Sequence, residues 1–156
     1  MTGEEHFRRL EDMYHGAPCN RYYTPRLEVC KGRAEVNLDV REDFFHSAGA
    51  VHGSVYFKAL DDAAFFACNS LIRDHLLLTV NFTTHLIRPI STGNMRAVGE
   101  VAHRSRSFVV AESVLYDSRG RKIAQGTGTF VKSRIRLDTD VGYGKGPNPE
   151  APETGS

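Results

Sequence analysis

The longest apolar stretch of the chain predicts one buried helix near its centre. From Val55 to Cys68 almost every position is apolar, and no wide polar face remains. A helix that is apolar nearly all round belongs in the interior of a domain. We expect this helix to begin at the turn His52-Gly53-Ser54 and to end between Asn69 and Asp74.

Alternation of apolar and polar positions predicts strands on both sides of this helix. An amphipathic helix at Glu4–Tyr14 comes first. The strands are predicted at Arg21–Val29, Arg33–Val40, Leu76–Ile87, Met95–His103, Phe108–Tyr116 and Lys122–Val131. One long buried helix among consecutive antiparallel strands predicts an α+β fold in which a curved sheet wraps the helix.

Three further predictions follow from the same patterns. On the first strand after the helix, one face should carry Leu78, Val80, Phe82, Thr84 and Leu86. On the last strand, Ala124, Gly126 and Gly128 share a face, where missing side chains would let the helix approach closely. The polar and Gly-rich residues 137–156 predict a disordered tail, which leaves residues 1–136 as a single domain.

Composition excludes several classes of protein. The chain has 156 residues, 25% of them charged, with a net charge of +1, which gives no reason to expect nucleic acid or a membrane as partner. No segment resembles a signal peptide or a membrane span. The three cysteines fit neither a disulfide framework nor a zinc site, so we expect no metal and a cytoplasmic location. They are Cys19, Cys30 and Cys68.

The predicted buried helix carries groups that suggest chemistry. Asp61 and Asp62 are adjacent carboxylates in an otherwise apolar run. Ionised carboxylates are rarely buried without a partner or a function. At the start of the helix, near Gly53, free backbone N–H groups form a site for an anion or a developing oxyanion.

The arrangement of these residues resembles a known family. His52-Gly53-Ser54 followed by Leu60-Asp61, and later Ile87-Arg88-Pro89, is similar to the HGG…D signature of hotdog-fold acyl-CoA thioesterases of the phenylacetate-degradation type. The resemblance runs from about Asp39 to Val131. It implies a hotdog fold and hydrolysis of an acyl-CoA thioester to a carboxylic acid and free coenzyme A. It implies no cofactor beyond the coenzyme A of the substrate.

The spacing of the two signature residues predicts an oligomer. Asp61 lies eight residues after Gly53, which is about 12 Å along one helix, too far to act on the same thioester carbon. Two antiparallel helices related by a two-fold axis would bring Asp61 of one copy to Gly53 of the other and create two identical sites. The family's dimers look like this, so we expect a homo-oligomer, either a dimer or a dimer of dimers (a homotetramer).

The resemblance implies catalytic roles residue by residue. Asp61 would act as general base on a water or as nucleophile, and the Gly53 N–H would polarise the thioester carbonyl. Asp62, about 100° further round the helix, would be structural or solvated. His46 stands where the family usually has Asn; it fits either a residue that orients water or carbonyl, or an ordinary loop residue.

Supporting and binding residues follow from the same comparison. His52 would brace the turn, Ser54 replaces a second glycine, and Thr79 matches a hydroxyl that some relatives place near the acid. Thr79 stands between Leu78 and Val80, so alternation along the strand directs its side chain to the face opposite theirs, away from the helix, unless a bulge intervenes. Cationic and polar residues near strand ends would bind the phosphates of coenzyme A, although each also fits an ordinary solvated residue: Arg88, Arg104, Ser105 and Arg106.

Two other functions remain open. A hotdog dehydratase or hydratase places its acid early on the helix, where this chain has Lys58, which cannot act as that acid. A non-catalytic acyl-CoA-binding protein would keep the pocket without turnover. Release of free thiol from an acyl-CoA distinguishes hydrolysis from binding alone.

Overall fold

A computed structural model describes residues 1–146 of the chain. The helices are α1 (Gly3–His15), α2 (Asn20–Tyr23) and α3 (Gly53–Asn69), and the strands are β1 (Arg26–Cys30), β2 (Arg33–Asp39), β3 (His75–Leu86), β4 (Asn94–Arg104), β5 (Val109–Tyr116) and β6 (Lys122–Arg136). Single 3-10 turns lie at Glu42–Phe44 and Thr139–Val141. The strands form one antiparallel sheet in the order β1-β2-β4-β5-β6-β3, curved around α3. The predicted α+β arrangement is confirmed.

The central helix is buried as its sequence predicts, and side chains fix both of its ends. At the start, Nδ1 of His52 accepts the backbone N–H of Ser54 at 3.0 Å. At the end, the Asn69 amide accepts the N–H of Leu77 and donates to the carbonyls of Ile72 and His75. These bonds satisfy polar groups that burial would otherwise leave unpaired. They hold α3 in register with the start of β3.

The glycines on β6 are not where the helix backbone comes closest to the sheet. A Cβ added to Gly126 or Gly128 would meet the ring of Phe82, at 2.3 and 2.6 Å. The helix backbone instead touches β4, where a Cβ on Gly99 would lie 2.3 Å from the carbonyl oxygen of Ala63. The predicted close approach of the helix at these two glycines is therefore wrong, because an aromatic ring from β3 fills that space. The helix does contact β6 further along, where the ring of Phe65 lies 5.9 Å from that of Phe130.

The first predicted strand is shorter than its pattern suggests. Residues Asn20–Tyr23 form the single turn α2, which ends at Thr24 in the left-handed region at φ 49°. The rings of Tyr22 and Tyr23 pack against Phe44, so aromatic contacts and not strand pairing hold this segment. Only from Arg26 does the chain join the sheet.

A bulge in β3 splits the face that the alternation predicts. The register with β6 shifts between Thr79 and Asn81, which inserts one residue into the strand. Before the bulge, Leu77 is buried and Leu78 is 47% exposed; Val80, the inserted residue, is 54% exposed; after the bulge, Phe82 packs into the core. The residues predicted to share one face therefore lie on two, and Thr79 turns toward α3.

Part of the predicted disordered tail is folded. β6 continues to Arg136, and residues 137–146 pack against α1. Tyr143 is buried, and its hydroxyl lies 2.7 Å from Nδ1 of the fully buried His6. This contact joins residues 137 positions apart, so the local Gly-rich composition gave no sign of it. Residues 147–156, the rest of the predicted tail, lie outside the described residues.

No helix among the described residues is long and apolar enough to cross a membrane.

The contact at Gly99 generates a stability prediction. Gly99→Ala should destabilise the protein by about 2–3 kcal/mol, because the new methyl group overlaps helix backbone, which cannot rotate away as a side chain can. The matched control is Gly3→Ala, where the added Cβ meets its nearest atom at 3.6 Å and alanine favours the helix. Urea unfolding of both variants provides the test. Equal loss in the two, or none in Gly99→Ala, would contradict this account of the packing.

Candidate active site

Asp61 lies half-buried on α3, facing β3. Its carboxylate accepts a hydrogen bond from the hydroxyl of Thr79 at 3.0 Å. The bulge after Thr79 makes this contact possible, because without it the alternation would turn Thr79 to the other face. The structure thus brings together two of the predicted site residues that lie 18 positions apart in the sequence.

The environment of Asp61 changes its acidity. Burial, with a smaller contribution from the neighbouring Asp62, raises its pKa from 3.8 to about 6, against the opposing effects of the Thr79 hydrogen bond and Lys58. The raised pKa makes the fold less stable at neutral pH than at acidic pH. Because the folded pKa exceeds the unfolded one, ionisation destabilises the fold as the pH rises through about 4 to 6, and that cost persists at neutral pH. A cost of this kind is common at functional sites.

Asp62 has structural partners, in contrast to its neighbour. Its Oδ2 accepts the hydroxyl of Tyr14 at 2.7 Å and forms an ion pair with Nζ of Lys58 at 2.9 Å. Tyr14 belongs to α1, so this carboxylate ties the first helix to the central one. Lys58 is committed to this pair and also lies over the rings of Tyr14 and Tyr23.

Gly53 is the first residue of α3, and its N–H points to no acceptor among the described residues. The preceding His52 is extended and caps the helix, and its Nδ1 also lies 2.8 Å from the Ser54 hydroxyl. His52 and Ser54 therefore pair with each other and leave the Gly53 N–H available. A free N–H at a helix start is suited to binding a negatively charged oxygen.

A groove of about 520 Å³ opens beside Gly53. His46, His52 and Arg88 line it, so three predicted residues meet there. Nδ1 of His46 accepts the N–H of Ala48, which orders the loop before the helix. The backbone at Arg88 is fixed by Tyr56, whose hydroxyl donates to the Arg88 carbonyl at 2.8 Å.

The other predicted phosphate-binding residues lie elsewhere on the chain. Arg104 ends β4, and Ser105 and Arg106 lie in the turn between β4 and β5; all three line a second cleft of about 490 Å³ with Leu77 and Phe130. Phe130 pairs with Thr79, the partner of Asp61. Within one chain, therefore, the predicted site residues form two separate groups. The Asp61 half-site contains Asp61, Thr79 and residues 104–106, and the Gly53 half-site contains Gly53, His46, His52 and Arg88.

Sequence reasoning missed three polar partners. Tyr14 and Tyr56 stand in apolar patterns where their rings count as core, and their hydroxyl partners come from distant segments. Lys58 lies four residues before Asp62, a spacing typical of a helical ion pair, and that signal was available. In residues 1–146 no group of three or more His, Cys, Asp or Glu side chains is placed to share a metal ion.

Known proteins resemble this chain in sequence and in structure. The sequence model described as "Thioesterase superfamily" matches residues 48–124. A Mycobacterium tuberculosis protein named "Putative esterase Rv1847" is 30% identical over 97 residues, which cover 60% of this chain and 69% of that protein. A Saccharolobus solfataricus protein named "Putative esterase SSO1253" is 25% identical over 104 residues, covering 67% and 69% of the two chains.

Solved structures share the fold. The E. coli PaaI protein from the phenylacetic acid degradation operon aligns with a TM-score of 0.79 at 18% identity, over 87% of this chain and 99% of that one. A thioesterase family protein from Silicibacter pomeroyi gives a TM-score of 0.75 at 24% identity, covering 81% and 96% of the two chains. These likenesses confirm the hotdog fold, and together with the sequence matches they show that the chain belongs to the thioesterase superfamily.

Proposed function

We propose that this protein is an acyl-CoA thioesterase whose active site forms between two copies of the chain. The observation that carries this proposal is Asp61: a half-buried carboxylate, held by Thr79, with a pKa raised to about 6. Such a group is mostly ionised at neutral pH and still basic enough to take a proton from water.

The separation of the two halves supports a composite site. Asp61 and Gly53 are about 12 Å apart along α3, so one chain cannot hold a thioester between them. Two antiparallel α3 helices around a two-fold axis place the Gly53 N–H of the partner beside Asp61. His46 and Arg88 of the partner then belong to the same site as Thr79.

The edge of the sheet supports this assembly. β3 is the terminal strand, twelve residues long, and its free edge carries exposed hydrophobic side chains beside exposed Phe57 of α3. They are Leu78, Val80 and Leu86, with Ile87 directly after the strand, and their exposed fractions run from 47% to 54%. A long apolar edge invites pairing with another strand. Pairing of two β3 strands brings the α3 helices together at the same edge.

The proposed reaction balances without a metal or other cofactor. Asp61 removes a proton from water, and the water oxygen forms a bond to the thioester carbon. The partner's free N–H at position 53 stabilises the resulting oxyanion. The carbon–sulfur bond then breaks, the thiolate of coenzyme A takes the proton from Asp61, and the carboxylic acid leaves.

Cationic residues at both halves suit the phosphates of coenzyme A. Arg88 lies beside the Gly53 groove, and Arg104 and Arg106 flank Ser105 in the cleft of the Asp61 half. Arginine binds phosphate oxygens in a bidentate manner. A dehydratase is not favoured, because Lys58 is paired with Asp62 and supplies no acid.

The first functional prediction concerns the acid. Asp61→Asn should lower kcat/KM for an acyl-CoA by at least about a hundredfold, since the amide cannot accept the proton of water. Asp62→Asn is the matched control and should stay within a few fold at pH 8. Hydrolysis is measured as released thiol.

The Asp61→Asn variant should be no less stable than the wild type at pH 8, because the free-energy cost of the buried charge is removed. Equal losses in both variants would refute the role of Asp61, and ligand binding without thiol release would favour a binding protein.

The second prediction concerns pH. Because Asp61 must be ionised, kcat/KM should rise with pH and level off above about 6. Asp62→Asn removes a neighbouring negative charge and should move this inflection to lower pH; Lys58→Met removes a positive charge and should move it higher. Rates from pH 4.5 to 8.5 test the order of the three inflections. Three coincident profiles would mean that another group controls the rate.

The third prediction concerns assembly. Gly53→Pro removes the N–H yet suits the first position of a helix, and extended His52 tolerates a following proline. Gly53→Ala is the control: its Cβ also approaches the flexible end of Leu86, but it keeps the N–H. Gly53→Pro and Asp61→Ala should each be inactive as homodimers.

Co-expression of these two inactive variants separates a shared site from a site within one chain. In a heterodimer one site carries both lesions and the other neither, so doubly tagged dimers should recover about half of the wild-type activity per dimer. Activity no higher than the parents, in dimers of verified composition, would place the whole site within one chain.

A further inference from the structure

Three contacts follow one another along the side of α3 that faces β3, four residues apart on the helix. They join Gly53 to Leu86, Phe57 to Phe82 and Asp61 to Thr79. Four residues make about one turn, or 6 Å along the helix axis. The two outer contacts hold the proposed oxyanion and base groups, and Phe57 lies midway between them.

The middle contact combines an exposed ring with a built support. Among the described residues, α3 exposes one large apolar side chain, that of Phe57, which is 41% exposed beside the apolar edge of β3. Its ring meets Phe82 edge to face, with centroids 5.6 Å apart. Phe82 in turn lies over Gly126 and Gly128, because a Cβ at either position would collide with its ring. Two glycines thus make room for Phe82, and Phe82 holds Phe57 at the surface.

The proposed assembly determines what Phe57 meets. If Gly53 of each copy lies beside Asp61 of the other, the two-fold axis crosses the pair of helices level with the residue halfway between them. Position 57 is that residue, since it lies four positions from each. A residue on the axis of an isologous interface contacts the same residue of the other copy. The exposed face of the Phe57 ring is therefore the part of α3 that the partner helix covers.

We infer that Phe57 lies on the two-fold axis of the dimer, where it packs against the same residue of the partner copy and forms a wall shared by both active sites. The inference rests on the proposed composite site and specifies its register at a residue that the proposed reaction does not use. Each ring then lies about one helical turn from both reaction centres. A change at position 57 in either chain should therefore reach both sites.

A cysteine on the axis should crosslink to itself. With Cys19 and Cys30 replaced by Ser, a short bismaleimide should convert Phe57→Cys to a covalent dimer. The matched control keeps Phe57 and its native Cys30, which is exposed on β1 at the opposite edge of the sheet, and should stay monomeric on a denaturing gel. Buried Cys68 remains in both proteins and should not react, because burial raises the pKa of its thiol to about 12.

A variant that keeps a large ring tests the same contact without crosslinking. The chain has no tryptophan, so Phe57→Trp introduces a single fluorescent reporter. Tyr22→Trp on α2 is the matched control, since Tyr22 is 49% exposed and Phe57 41% in the single chain. Acrylamide should quench the Phe57→Trp dimer at least about threefold less than the control, because the partner copy covers the ring.

The heterodimer with one working site tests the shared wall. It combines a Gly53→Pro chain, which supplies Asp61, with an Asp61→Ala chain, which supplies the N–H. Phe57→Ala added to either chain alone should lower kcat/KM by about tenfold, and by the same factor within about twofold. A loss confined to the chain that supplies Asp61 would place the ring in one half-site only and would overturn the inference.

These measurements separate the inference from the proposed function. If no thioester is hydrolysed but Phe57→Cys crosslinks and Phe57→Trp is protected, the axis assignment stands and the proposed function fails. If thioesters are hydrolysed but Phe57→Cys crosslinks no better than the control and Phe57→Trp is quenched as readily as Tyr22→Trp, the axis assignment is overturned. If Phe57→Cys does not fold, the quenching comparison decides alone.

Discussion

The structure depends on the burial of α3 against the sheet that curves around it. Close approach at Gly99 brings the helix backbone into contact with β4, and the amide of Asn69 fixes the helix against the start of β3. A helix held at the sheet and at its end cannot slide or rotate without breaking these contacts. Every proposed catalytic group is placed by this arrangement, because each lies on α3, on the loop before it, or on a strand that it touches.

Burial of the helix carries a cost at one residue. Asp61 is ionised at neutral pH although its surroundings favour the protonated form, and only the Thr79 hydroxyl bonds its carboxylate among the described residues. The adjacent Asp62 is satisfied by Lys58 and Tyr14. The two neighbouring carboxylates thus differ because Asp61 faces β3, where only Thr79 bonds it, whereas Asp62 faces α1 and is bonded by Tyr14 there and by Lys58 one turn earlier on α3. Such strain is retained where a reactive group is needed.

In the single chain, β3 is a terminal strand with one unpaired edge and exposed hydrophobic side chains. Thr79 of this strand bonds Asp61 near the middle of α3, and the exposed Leu86 lies beside Gly53 at the start of α3, about 12 Å away along the helix. In the proposed dimer, the two-fold partner would cover the apolar edge and would also complete both sites. In the proposed dimer, β3 and α3 are therefore needed both for assembly and for catalysis.

The sequence by itself determined the buried helix, the sheet around it, and the presence of an acid and a glycine helix start on that one helix, because hydrophobic period and turn residues are local properties. Tertiary structure alone decided which way Thr79 faces, since the β3 bulge is defined by its pairing with β6. It alone decided that Phe82 fills the space over Gly126 and that Tyr143 packs on His6, because these contacts join distant segments. The pKa of Asp61 is likewise decided by tertiary structure, because a carboxylate's pKa depends on the groups around it in space. Those groups are in place only when β3 packs over α3.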